Sequence, residues 1–97
     1  MNYLTIDGMI SGTGIRDTIN GGYIELSEIS MSAELSLKLI SWLESYHSEF
    51  YGGYSDATVM RKLDKEGVTL AKQLCDELPE SKVRYYSDYC QAVILTH

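Results

Sequence analysis

The residues that could do chemistry are few and scattered. Asp7, Asp17 and Glu25 are the acids that could meet near strand ends, with Arg16 close by. Two carboxylates in a cleft, their pKa values pushed apart, would serve acid–base catalysis. Nothing in the spacing requires these three to meet, and Arg16 and Asp17 read equally well as a local ion pair. Gly8, Gly12 and Gly14 resemble a glycine loop, but the spacing is not GxGxxG and no Gly-Lys-Ser/Thr follows. A turn after a first strand accounts for them better than phosphate binding. No serine lies in a GxSxG frame. Cys75 and Cys90 have no CxxC companion, and His47 and His97 form no HxxxH. No metal, cofactor or catalytic group is therefore expected. A small enzyme using Asp7, Asp17 or Glu25 stays as an alternative.

Charge and tyrosine content point to binding instead. The net charge is −6, and the excess lies in residues 1–58, which hold eight acids but only Arg16 and Lys38 as bases. Phosphate polymers are bound by lysine and arginine, so nucleic acid and anionic membranes are not expected partners. A basic protein is, because opposite potentials speed encounter. A plain solubility charge is the competing explanation. Eight tyrosines stand against one Phe and one Trp. Tyrosine tolerates half-exposure and is enriched at interfaces. The densest tract, residues 44–56, joins tyrosines and acids around Gly52-Gly53 without one lysine or arginine. Glu44, Glu49, Tyr51, Tyr54 and Asp56 are accordingly the expected partner-binding residues. The competing account has Tyr46 and Phe50 finishing a helix stripe, with Tyr51 and Tyr54 covering the end of the core.

The elements that would position these groups read as one α+β domain over residues 1–97. Leu, Ile, Val and Phe make up 24 of 97 residues, enough for one core. Asn2–Ile6 alternates like a strand. Ile15–Ile19 is ambiguous. Asn20-Gly21-Gly22 signals a turn, and Tyr23–Leu26 reads as a second strand. Ser32 is a candidate N-cap for a helix with Leu35, Leu39, Trp42, Leu43, Tyr46 and Phe50 on one face, which Leu37 and Ile40 would widen. Ser55-Asp56 opens a second helix, striped by Val59, Met60, Leu63, Gly67, Leu70, Ala71, Leu74 and Leu78, and Pro79 stops it. Gly67 implies a close approach, assigned here to the first helix and Trp42. Lys82–Tyr86 and Tyr89–Leu95 read as strands, with either a turn at Ser87-Asp88 or one long bent strand. The order β-β-α-α-β-β predicts a mixed or antiparallel sheet with both helices on one face. Ala92–Leu95 would be an inner strand or an edge that pairs with a second copy. No run is long and apolar enough to span a membrane. The first residues lack a basic segment, so a cytoplasmic location with reduced cysteines is expected.

Gly14-Ile15-Arg16-Asp17, Gly22-Tyr23-Ile24-Glu25-Leu26, the Trp42-centred helix, Leu63-Asp64-Lys65-Glu66-Gly67, Leu70-Ala71, Leu74, Glu77-Leu78-Pro79 and Tyr85-Tyr86-Ser87-Asp88 occur in this order. Over residues 3–88 the chain resembles small bacterial proteins akin to immunity proteins of contact-dependent growth inhibition and related polymorphic toxin systems. The resemblance implies a cytoplasmic, non-enzymatic protein that neutralises one cognate toxin domain, often a nuclease with a basic groove. It carries over no binding residue. A homodimeric adaptor module is the alternative from a different class.

Overall fold

Alternation in Asn2–Ile6 points Leu4 and Ile6 to one side and Tyr3 and Thr5 to the other, and this strand, β1, lies inside the sheet. The computed structural model describes residues 2–95. After β1 come β2 (Ile15–Asp17), a short 3-10 turn (Leu26–Glu28), α1 (Ala33–Tyr51), α2 (Ala57–Glu77), β3 (Ser81–Ser87) and β4 (Ala92–Leu95). The sheet order is β2-β1-β3-β4. β1 and β3 run parallel, while β2 and β4 flank them antiparallel. The α+β reading holds, and the sheet is the mixed one.

Both helices cover the face carrying Leu4, Ile6, Val83 and Tyr85, which are all buried with Leu39, Trp42, Met60 and Leu74. The caps match the sequence: Ser32 Oγ accepts from the Leu35 amide, and Asp56 accepts from the Thr58 and Val59 amides. Each such cap is worth about 1 kcal/mol.

Three expectations need correction. The strand beside β1 is Ile15–Asp17, not Tyr23–Leu26; after the turn at residues 18–22 only Tyr23 makes a bridge, to Arg16. Thr13 Oγ1 donates to the Ile24 carbonyl, and the chain then leaves the sheet for the 3-10 turn. Leu37 and Ile40 do not widen the buried face of α1: they are 68 % and 42 % exposed, on its outer side. Gly67 is crowded by the sheet, not by Trp42. A Cβ there would lie 2.2 Å from the Tyr85 ring. Of the two readings of the C-terminal stretch, the turn holds: β3 ends at Ser87, the turn occupies residues 88–91, and β4 begins at Ala92.

Because β1 and β3 are parallel neighbours, both strands finish at the same end of the molecule. Asp7 and Asp88, one residue past each strand, therefore lie at that end, beside the corner between α1 and α2.

Candidate partner-binding site

The corner is held from inside by an acid on the apolar stripe of α2. Met60, Asp64, Gly67, Ala71 and Leu74 follow one another at helical spacing and are all buried, so Asp64 points where its neighbours do, into the core. A buried carboxylate is tolerable when its oxygens are fully bonded. Tyr46 and Tyr85 donate their hydroxyls to Oδ1 at 3.0 and 2.6 Å, and Ser87 donates to Oδ2 at 2.7 Å. The Cys90 thiol lies 3.8 Å from Oδ2. Two hydroxyls pass the interaction outward. The Tyr89 amide donates to Tyr46 Oη and the Cys90 amide to Ser87 Oγ. Asp64 thereby ties α1, α2 and β3 together and fixes the 88–91 turn. Burial pushes the Tyr46 phenol up to about 12 and raises the Tyr85 phenol further, so both stay protonated donors.

From that turn Asp88 reaches the corner itself, accepting the Tyr54 hydroxyl at 2.5 Å. Burial, then the bond to Asp88, raises the Tyr54 phenol. Its ring packs edge-on against Tyr46, Phe50 and Tyr89. Among the described residues Tyr54 is also one of three non-glycine residues at positive φ, at +54°. A bulky residue there is strained, and the hydroxyl bond and ring contacts hold it in place. Gly53, at φ +75°, turns the chain just before it.

What this scaffold presents is Glu49-Phe50-Tyr51. Tyr51 is 78 % exposed and Phe50 38 %, with their rings edge to face. Glu44 is exposed and Glu49 half-buried. Glu49 lies in the last turn of α1, which carries no basic residue. That is the negative end of the helix dipole, where a carboxylate costs stability.

The five expected binding residues therefore divide. Glu44, Glu49 and Tyr51 have no side-chain hydrogen bond or ion pair among the described residues; Glu49 and Tyr51 lie in the last turn of α1, and Glu44 lies about 10 Å before its end. Tyr54 is half-buried and its hydroxyl is engaged by Asp88. Asp56 is exposed, but its carboxylate caps α2. The acids of residues 1–58 do not form one patch. Glu28 lies in the 3-10 turn before α1 and Glu34 in its first turn, while Glu49 is in its last turn, about 23 Å from Glu34 along the helix. Sequence reasoning missed Asp64 and Asp88 as the residues that hold the corner. The signal for Asp64 was an acid on an apolar helical stripe.

The acids of the enzymatic alternative are not brought together. Asp7 is buried, accepting from Tyr23 Oη at 2.6 Å and from the Met9 amide, with Arg16 Nε 3.2 Å away. Burial raises its carboxyl, while Tyr23, Met9 and Arg16 pull it back down. Asp17, at the other end of β2, is lowered by the Asn20 amide and side chain and the Ile19 amide that it caps. Glu25 is exposed before the 3-10 turn. His47 Nε2 is 2.8 Å from the Met9 carbonyl, which gives it a partner within the fold. Both cysteines are free. Among the described residues no cluster of three or more His, Cys, Asp or Glu is arranged for a metal. His97 lies outside the described residues.

A second surface feature is a groove of about 760 Å³ between the outer sides of α1 and α2, floored by Leu37, Trp42 and Leu70 and edged by Lys38, Lys62 and Lys65. No helix among the described residues is long and apolar enough to cross a membrane. Comparison with protein-family models, curated proteins and solved structures gives no match.

Proposed function

We propose that this chain is an immunity-type protein: a stoichiometric, non-enzymatic inhibitor, acting in the cytoplasm, that covers a cationic surface of a cognate toxin domain. A nuclease groove, built to hold phosphates, has the required charge. One observation carries the reading. Glu49 stands at the negative end of α1 with no cation in that turn, in the same turn as the exposed rings of Phe50 and Tyr51. That placement costs stability and gains nothing within the fold. Against a basic groove it supplies charge, and the two rings supply buried area.

The test is co-expression with the product of the gene directly upstream, followed by purification. A one-to-one complex that inhibits the toxin's activity is the expected result. Within it, Glu44→Lys with Glu49→Lys slows association at least tenfold, and Tyr51→Ala speeds dissociation. Asp56 is left intact because it caps α2. Full-strength binding by the triple variant would refute the corner as the interface.

The second reading, a homodimeric module, has its own support. β4 is an edge strand with Val93 and Ile94 exposed, and uncharged edges invite pairing. At the opposite edge β2 is engaged by the chain after the turn, through Asp17 N–H to Gly22 O and Ile24 N–H to Ile15 O. Four residues alone fall well short of the ~1,000 Å² that a stable interface needs. Light scattering separates the readings: a monomer at 100 μM removes the homodimer.

A further inference from the structure

The face of the sheet turned away from the helices has the opposite character to the corner. Strand alternation turns Tyr3, Thr5, Lys82, Arg84 and Tyr86 away from the helices; Thr5 is itself fully buried among its neighbours, while Tyr3 and Lys82 are exposed and Arg84 and Tyr86 half-buried. Thr5 is registered with Arg16 on β2 and with Arg84 on β3, which sets the two arginines on either side of it, about 9.6 Å apart. Thus three of the chain's eight cations share one face. Asp7 meets Arg16 at its rim, and the Arg16 guanidinium lies 5.8 Å from the Tyr86 ring centre. Arg84 is different. It is half-buried, and its one hydrogen bond among the described residues runs from Nε to Thr5 Oγ1 at 3.0 Å. Thr5 is itself bonded to Thr18 at 2.6 Å. The ion pairs of the described residues are Arg16–Asp7 and Lys38–Glu34, so among those residues neither Arg84 nor Lys82 is paired with a carboxylate.

A guanidinium held in place through Nε presents its terminal nitrogens as a fixed fork, which matches a carboxylate in two-point contact. Lys82 sits two residues away on the same side, about 6.6 Å along the strand. Tyr3, 42 % exposed and registered with Lys82, adds a ring beside it. We propose that this open sheet face is a second docking surface, taking an acidic polypeptide segment whose carboxylates engage Arg84 and Lys82 between Tyr3 and Tyr86. A nucleic acid fits less well. Phosphate polymers are held through many contacts, whereas this face offers two cations without an ion pair among the described residues. The surface is independent of the corner proposed to meet the toxin.

The test is an NMR amide titration at low salt with three probes: a (Glu-Thr)5 peptide, a (Lys-Thr)5 peptide and a ten-nucleotide oligouridylate. The expected result is that (Glu-Thr)5 alone moves the amides of Tyr3–Thr5 and Lys82–Tyr86, and that 0.3 M salt abolishes the shifts. Lys82→Gln with Arg84→Gln weakens binding at least fivefold, while Glu49→Lys does not weaken it. Shifts confined to Lys62 and Lys65 would place the anion in the helix groove and overturn the proposal. So would tighter binding of the oligouridylate at the sheet face, or no shifts at all. Denaturant midpoints within 0.3 M of the parent confirm that the variants are folded; if the double variant is not, Arg84→Lys replaces it and loses the two-point contact alone.

Discussion

Replacing Asp64 by alanine tests the reasoning about the core most severely. The carboxylate accepts three hydroxyl bonds, from Tyr46, Tyr85 and Ser87. Bonds to a charged acceptor are worth about 1.5–3 kcal/mol net each. They do not add fully. Tyr46 Oη and Ser87 Oγ are 3.4 Å apart and can bond to each other, but Tyr85 is left with a buried, unpaired hydroxyl. The expected loss is about 3–5 kcal/mol, a large share of the ~5–15 kcal/mol that holds such a domain. At about 4–8 °C per kcal/mol, Tm falls by at least about 12 °C. Asp64→Asn keeps a carbonyl oxygen for the two tyrosines and loses only about 1 kcal/mol. The sharper result is a reversal of sign. Tyr85→Phe in the parent removes a good bond and costs about 1.5–3 kcal/mol, yet on the Asp64→Ala background it removes an orphan and returns about 1 kcal/mol or more. Urea unfolding, with the m-value checked for constancy, measures all four proteins. An Asp64→Ala loss below about 1 kcal/mol, or a further loss on adding Tyr85→Phe, would refute the account of the carboxylate as a satisfied buried anion.

The remaining expectations concern one contact, one titration and one charge. Gly67→Ala gains about 1 kcal/mol of helix propensity but drives a methyl to 2.2 Å from the Tyr85 ring. Overpacking wins, and urea unfolding should show a net loss of about 1–2 kcal/mol. The Tyr46 phenol, raised by burial from 10 to about 12, binds its proton more tightly folded than unfolded. Its contribution is therefore whole below pH 10 and is lost as the pH rises towards 12, and Tyr46→Phe should reduce the slope of stability against pH in that window. Glu49→Lys replaces an acid with a base at the carbonyl end of α1, so thermal melting should show a gain of about 0.3–1 kcal/mol, in the same variant that contributes to slower toxin association.

Local chemistry made much of the frame legible. Ser32 and Asp56 announce both helix starts, because an N-cap is decided by a side chain and amides two or three residues away. The stripes of α1 and α2 and the alternation of β1 and β3 come from single-element periodicity. What failed depended on distant partners. Ile15–Asp17 and Tyr23–Leu26 are both short alternating segments; which one pairs with β1 is set across the sheet. Leu37 and Ile40 are apolar, yet the sheet lies on the other side of α1. The crowding at Gly67 could be inferred from glycine alone, but its source, Tyr85, is eighteen positions on and belongs to a different layer. At the corner, Tyr51 was legible as an exposed tract residue. The half-burial of Tyr54 stayed one of two open accounts, because Asp88, the partner that holds it, lies thirty-four residues away.

The charge of the molecule makes sense only once these distances are closed. The acids that the fold uses are bonded: Asp64 by hydroxyls, Asp88 by Tyr54, Asp7 by Tyr23 and Arg16, Asp56 by two amides, Glu77 by Ser32. Glu44 and Glu49 have no such bond among the described residues, and Glu49 sits where its own helix disfavours it. On the far side of the sheet Arg84 and Lys82 likewise are paired with no carboxylate among the described residues, although the chain carries fourteen acids. With acids in such excess, a cation left unpaired reflects placement, not scarcity of partners. Glu44 with Glu49, and Arg84 with Lys82, thus leave uncompensated charge of both signs on separate surfaces, the arrangement on which both proposed docking surfaces rest.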